Sequence, residues 1–243
     1  MTTLAIDSTS KDASAAIVRD GDLLGEANLH TGYTHSECLL PAVEYLLRLT
    51  KLTVSDIDIF ALAAGPGSFT GVRIGAATIK GLAFGRGRVC APVSTLEALA
   101  GNLSETDALI CPVMDARRGQ FYTALFSSKD GRLSRIWDDA AMSSEELFAR
   151  LSDYTNDINR PIYLVGDGYD LAYEAFSGKL VCLAATPRAL RFHSAASAAF
   201  IAERRAAENP ESLTDDITLS PSYLRLSQAE REYNEKHDDK IIL

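Results

Sequence analysis

The chain has 243 residues, 47% of them hydrophobic and 23% charged, enough to bury a sizeable core in one large domain or two smaller lobes. Its formal net charge of −9 repels phosphate backbones and argues against unaided binding to nucleic acid. No apolar run approaches the length of a bilayer span and Asp7 breaks the first one, so neither membrane anchor nor signal peptide is expected, and a cytoplasmic location is.

Residues 4–7 read as a short buried strand, Ser8-Thr9-Ser10 as a turn and residues 13–18 as a second strand. Asp20-Gly21-Asp22 signals a hairpin into a third strand over 23–29. Thr34 and Glu37 have capping-box spacing, and the helix after them sets Leu39, Leu40, Val43, Leu46 and Leu47 on one wide stripe. Pro41 predicts a kink or a late helix start, because it cannot donate its helical hydrogen bond. A buried strand over 57–64, a glycine turn, a helix over 71–84 and a strand over 89–93 follow. Ser94 and Glu97 then cap a helix through Ala100.

A related order recurs. Strands are expected over 109–115, 121–126 and 133–137, with turns at Arg117-Arg118-Gly119 and Lys129-Asp130-Gly131. Ser143 and Glu146 cap a helix to about 151, strands follow near 162–165 and 180–183, and a helix near 194–207. Two copies of a mixed unit predict an α/β protein with mixed sheets flanked by helices. The lobes are read as 1–105 and 106–226, with the last helix a candidate to pack back on the first lobe. Residues 227–243 read as a flexible, mostly polar tail.

The four cysteines, Cys38, Cys90, Cys111 and Cys182, lie in apolar runs without Cys-x-x-Cys spacing and read as buried reduced thiols. No two of His30, His35, His193 and His237 have the spacing that sets two ligands on one helical face, so no metal site is expected. No catalytic residue is assigned either, because no nucleophile–base signature appears. Asp7-Ser8-Thr9-Ser10 could offer hydroxyls and amides to a phosphate and a carboxylate to hydrated magnesium; the alternative is a plain hairpin turn. Gly65-Pro66-Gly67-Ser68-Phe69-Thr70-Gly71 sits at a strand–helix junction but is neither a dinucleotide fingerprint nor a P-loop. The next helix carries Gly71, Gly75 and Gly81, each costing about 1 kcal/mol against alanine. Close approach by the stripe helix or by a second protein would compensate.

In this order, these motifs closely resemble the bacterial TsaB (YeaZ) family. The likeness is dense from Leu4 to Leu99 and looser at Met114-Asp115-Ala116-Arg117-Arg118-Gly119 and Pro221-Ser222-Tyr223-Leu224-Arg225. It implies the two-lobed actin/hexokinase-like ATPase (ASKHA) fold and a part in making N6-threonylcarbamoyladenosine in tRNA beside the anticodon. The implied partners are the catalytic homologue TsaD in a heterodimer and the ATPase TsaE in a ternary complex. The chain alone would be a homodimer and would meet tRNA only through the complex. The catalytic relative binds metal through an Asn-His-x-x-x-His stretch, where this chain has Thr95 and Leu99. It also has a Gly-Gly phosphate turn where this chain has Asp115-Ala116-Arg117-Arg118-Gly119. The implied role is therefore a non-catalytic partner that stabilises or activates TsaD and requires no cofactor of its own. ATP or ADP is a candidate at the complex interface, and Asp7, Ser8, Thr9 and Asp115 are candidate vestigial nucleotide-binding residues. Leu39, Val43, Leu46, Val72, Ala76 and Ile79 are the expected partner interface, where Ala76→Glu should break pairing and leave the monomer folded. The alternative is an active ATPase or small-molecule kinase of the same fold.

Overall fold

The computed structural model describes residues 1–156 and 158–225; the tail expected over 227–243 lies outside the described residues. The first sheet joins β1 (Thr2–Asp7), β2 (Ala13–Arg19), β3 (Asp22–Leu29), β4 (Ile59–Ala63) and β5 (Val89–Val93) in the order β3-β2-β1-β4-β5. The second joins β6 (Ala108–Asp115), β7 (Gln120–Lys129), β8 (Arg132–Ser143), β9 (Ile162–Val165) and β10 (Leu183–Ala184) in the order β8-β7-β6-β9-β10. In each sheet an antiparallel meander of three strands leads to two parallel additions on the far side of its first strand. The two sheets thus repeat one topology, the duplicated α/β plan with mixed sheets flanked by helices that the sequence predicts.

Alternation along β1 divides the first lobe's core. Leu4 and Ile6 face α1 (His35–Thr50) and α2 (Phe69–Ala83), with Ile17, Phe60 and Leu62. Ala5 points the other way, with Ala16, Ala61 and Ala91, onto α6 (Ala195–Glu208). Helix α6 presents Ala195, Ala198, Ala199 and Ala202 to that face. Alanine against alanine lets helix and sheet approach closely, and this draws the last helix of the chain onto the first sheet. Helix α3 (Thr95–Gly101) does the reverse: Leu96, Leu99 and Ala100 pack against Ile110, Met114, Phe126 and Val165 of the second sheet. Helices α4 (Ser144–Thr155) and α5 (Tyr169–Phe176) cover that sheet's other face through Leu147, Leu151, Ala172 and Phe176.

The interface expectation is corrected here. Leu39, Val43, Leu46, Val72, Ala76 and Ile79 are all at most 5% exposed, inside the first lobe. The apolar stripe is the inward face of α1 and α2, because a sheet lined with Leu4, Ile17 and Phe60 requires that cover. A glutamate at Ala76 would be forced into the core. Helix α1 turns Leu40, Tyr45 and Leu49 outward instead, and Phe84, the C-cap of α2, is also exposed.

Helix α1 starts at His35 and runs through the exposed Pro41, so its start is not late. Strand β8 is longer than expected, and β10 falls at 183–184 rather than 180–183. Helix α5 was not expected: Gly168 takes its N-cap position with no side-chain cap to announce it. Cys90 and Cys111 lie in the cores, where burial pushes their thiols up to about 11 and about 12. Cys38 and Cys182 are half-buried, and the four described cysteines are free thiols. No helix among the described residues is long and apolar enough to cross a membrane.

Candidate functional site

The two sheets bring the turn after β1 to face the turn after β6. Asp7 closes β1 and is buried, as is His193, which immediately precedes the N-cap Ser194 of α6. Asp7 Oδ1 accepts from the Thr9 amide at 2.9 Å and the Thr9 hydroxyl at 2.6 Å. Asp7 Oδ2 lies 3.1 Å from His193 Nδ1. An ionised carboxylate only accepts, so Nδ1 carries the proton. Burial works against the charge on Asp7, yet the His193 charge and the bonds from His193 and Thr9 outweigh it and lower the carboxyl below its ordinary value. Burial likewise opposes protonation of His193, and the Asp7 carboxylate overrides it and raises the imidazole. His193 Nε2 is buried with no partner among the described residues. No spacing in the sequence marks His193, because its partner is 186 residues away.

The glycine string is explained by close approach. A Cβ at Gly67 would strike the Thr9 backbone, and one at Gly71 the Ser8 carbonyl. A Cβ at Gly75 would sit 2.5 Å from Ser8 Oγ. These absences let α2 press against the Ser8–Thr9 turn, where the Ser68 amide donates to Thr9 O at 2.6 Å and Ser8 Oγ donates to Gly71 O at 2.8 Å. Gly65, at φ +119°, makes room for the Ser222 carbonyl, and the Ser222 amide donates to Ala64 O at 2.7 Å. Phe69 stacks on Tyr223 with centroids 4.1 Å apart. The Pro221–Arg225 motif is thus a strap across the glycine turn, and Arg225 anchors its end on Ala116 and Gln120 of the second lobe.

A cavity of about 540 Å³ opens between the turns, lined by Thr9, Ser10, Lys11 and Ser68 on one side and Asp115, Arg117 and Asp167 on the other. Of the four expected nucleotide residues, Thr9 and Asp115 reach this cavity. Asp7 and Ser8 lie behind its wall, with Asp7 committed to Thr9 and His193 and the Ser8 hydroxyl to Gly71. Across the cleft, Arg117 and Arg118 adopt left-handed backbone, φ 67° and 57°. That conformation favours glycine, and an aspartate–amide bond from Arg117 N to Asp115 Oδ1 at 2.7 Å holds it. Side chains therefore occupy the turn from which a phosphate would be approached by bare backbone.

Thr95 and Leu99 are both buried. Leu99 packs within the α3–second sheet core, and Thr95 Oγ1 has no partner among the described residues. No group of three His, Cys, Asp or Glu among the described residues is placed to hold a metal ion. Behind α3, Glu97 gathers three arginines: Arg205 of α6 in contact, and Arg135 and Arg204 at 3.8 Å. Arg135 also pairs with Asp139 of β8, which accepts from Ser94 Oγ at 2.6 Å. This network ties α3, α6 and the second sheet together.

The family model for TsaD, tRNA N6-adenosine threonylcarbamoyltransferase, matches residues 30–233. The tRNA threonylcarbamoyladenosine biosynthesis protein TsaB of Bacillus subtilis is 32% identical over 236 residues, covering 97% of this chain and 99% of that one. TsaB of Escherichia coli is 34% identical over 139 residues, 56% of this chain and 58% of that one. Among solved structures, YeaZ from Pseudomonas aeruginosa superposes with a TM-score of 0.76 at 25% identity, over 92% of this chain and 99% of that chain.

Proposed function

The chain belongs to the TsaB family of tRNA threonylcarbamoyladenosine biosynthesis proteins, and from that premise we propose that it serves the pathway as the non-catalytic partner of TsaD. The observation that carries this reading is the fate of Thr95 and Leu99. The resemblance aligns them with the metal-binding imidazoles of the catalytic relative, and here both are buried, Leu99 as core packing against the second sheet. A hydroxyl and a methyl in those places supply no transition-metal ligand set. The commitment of Asp7 and Ser8 to contacts within the protein supports the same reading against an active kinase or ATPase.

What the chain then offers TsaD is a surface. Leu40, Tyr45 and Leu49 of α1 and Phe84, the C-cap of α2, are large apolar residues that the first lobe's own core leaves exposed. TsaE would join the assembled pair, and the chain without TsaD would pair with itself through the same helices. ATP or ADP would be held at the joint of the complex and not by this chain alone. The test is to mix the chain with its cognate TsaD, measure particle mass by light scattering with and without TsaE and ATP, and assay adenosine modification on tRNA. A heterodimer that modifies tRNA, beside an isolated chain that does not, is the expected result. Modification by the isolated chain would overturn the reading.

A further inference from the structure

The two banks of the interlobe cavity do not hold each other. Thr9, Ser10, Lys11 and Ser68 exchange no hydrogen bond or ion pair with Asp115, Arg117 or Asp167 among the described residues. The lobes are joined elsewhere. Helix α3 leads into β6, α6 returns from the second lobe, and neither helix lines this cavity. There Ser197 Oγ donates to Asn102 Oδ1 at 2.7 Å, Asn102 Nδ2 donates to the carbonyls of Leu190 and Phe192, and Glu97 holds Arg205. The stiff joint therefore lies away from the cavity.

The Pro221–Arg225 strap crosses the cavity side, and its two ends are built differently. On the first lobe it is held several times over. Leu219, which leads into it, is buried in the core under α1 and α2. Ser222 meets the backbone of Ala64 and Gly65, and Tyr223 stacks on Phe69. Arg73 Nε donates to the Tyr223 hydroxyl at 3.0 Å, and its guanidinium carbon lies 4.7 Å from the Phe69 centroid. On the second lobe the hold among the described residues is one side chain. Arg225 donates to Ala116 O at 3.2 Å and to Gln120 Oε1, with its guanidinium carbon 5.5 Å from the Tyr122 centroid. The segment it grips is the turn in which Arg117 and Arg118 take left-handed backbone. One partly buried side chain on neutral acceptors releases far more readily than an end fixed by stacking, core packing and backbone bonds.

We propose that the strap is a latch: fixed to the first lobe and closed on the second by Arg225, it sets the width of the interlobe cleft, with α3 and α6 as the hinge. The latch lies within the chain, so its failure would leave the TsaD role intact. The experiment measures the distance between nitroxide labels on the full chain at Thr70→Cys, on α2, and Glu145→Cys, on α4, in a Cys38→Ser, Cys182→Ser background. Both label sites are exposed, and α4 begins beside the gripped turn, where the Ser144 amide donates to Gly119 O at 3.1 Å. With Arg225 intact the distance distribution is expected to be single and narrow. Arg225→Ala should move it to longer distances and broaden it. Gln120→Ala removes one acceptor, should act in the same direction, and carries the test should Arg225→Ala fail to fold. Amides of residues 116–120 should exchange with heavy water about tenfold faster or more in Arg225→Ala, while those of α3 and α6 keep their protection. A distance distribution that overlays the parent's would overturn the proposal even with faster exchange at the turn, because Arg225 would then be only a local clasp. Loss of protection throughout α3 and α6 would overturn it too, by removing the hinge.

Discussion

Asp7 and His193 lie 186 residues apart in sequence and 3.1 Å apart in space, both withdrawn from water. Asp7 ends the first strand, and His193 leads into the helix that returns from the second lobe. Their bond therefore joins the beginning of the fold to its last helix. The pair also sets a pH window. His193 is raised above its ordinary 6.5, so its contribution is complete below 6.5 and is lost as pH rises through the folded value. Asp7 is lowered below 3.8, so its contribution is complete above 3.8 and is lost as pH falls through the folded value. His193→Gln should cost about 3 kcal/mol between these limits. The cost should shrink as pH climbs above 6.5. Urea titrations of parent and variant from pH 4 to 9 test this; a cost that stays constant across the alkaline half contradicts the pairing.

The glycines of α2 should behave in opposite ways. At Gly71 a methyl group would meet the Ser8 carbonyl, a backbone atom that cannot swing aside, while at Gly81 it would meet nothing within 4 Å. Gly71→Ala is expected to destabilise by about 3 kcal/mol or more. Gly81→Ala should stabilise the chain by about 0.5–1 kcal/mol through helix propensity and a less flexible unfolded chain. Chemical denaturation of both variants gives the comparison directly.

These glycines also show what the sequence made legible. Their cost in a helix announced that another element comes close, and the capping signals at Thr34, Ser94 and Ser143 placed three helices correctly. The element approaching Gly71 and Gly75 proved to be the Ser8–Thr9 turn, which a one-dimensional pattern does not name. The leucine stripe of α1 was visible, but the same period describes an inward face and a docking face, so Leu39, Val43 and Leu46 were assigned to the wrong side. Thr9, expected from its hydroxyl-rich turn, and Asp115, expected from the family resemblance, both line the cavity between the turns. His193 was not expected, because its meaning arises only when alanine packing brings α6 onto the first sheet.

The Glu97 network should respond to salt. Among the described residues, Glu97 is the one carboxylate that reaches Arg135, Arg204 and Arg205 together, and its side chain is only 13% exposed. Glu97→Ala leaves Arg204 and Arg205 without their carboxylate in a partly shielded place beside Arg135, which keeps only Asp139. The expected loss is about 2 kcal/mol at low ionic strength, falling as added salt screens the repulsion. Melting curves at low and high sodium chloride check both the sign and the trend; a loss that grows with salt would contradict it.

Two glutamates placed on opposite sides of the same helices separate folding from pairing. Ala76 is 5% exposed and packs in the first lobe's core, so Ala76→Glu buries a carboxylate with no partner and should destabilise the monomer by several kcal/mol, about 3 or more. Leu49 is 59% exposed on α1 and touches water in the isolated chain, so Leu49→Glu should change monomer stability by less than about 0.5 kcal/mol. If α1 docks on TsaD, the new charge would have to be desolvated in the interface, and co-elution with TsaD should fall at least about tenfold in affinity. Melting curves followed by light scattering of each variant with TsaD read the two effects apart. A Leu49→Glu chain that folds and pairs normally would move the docking surface away from the exposed side of α1.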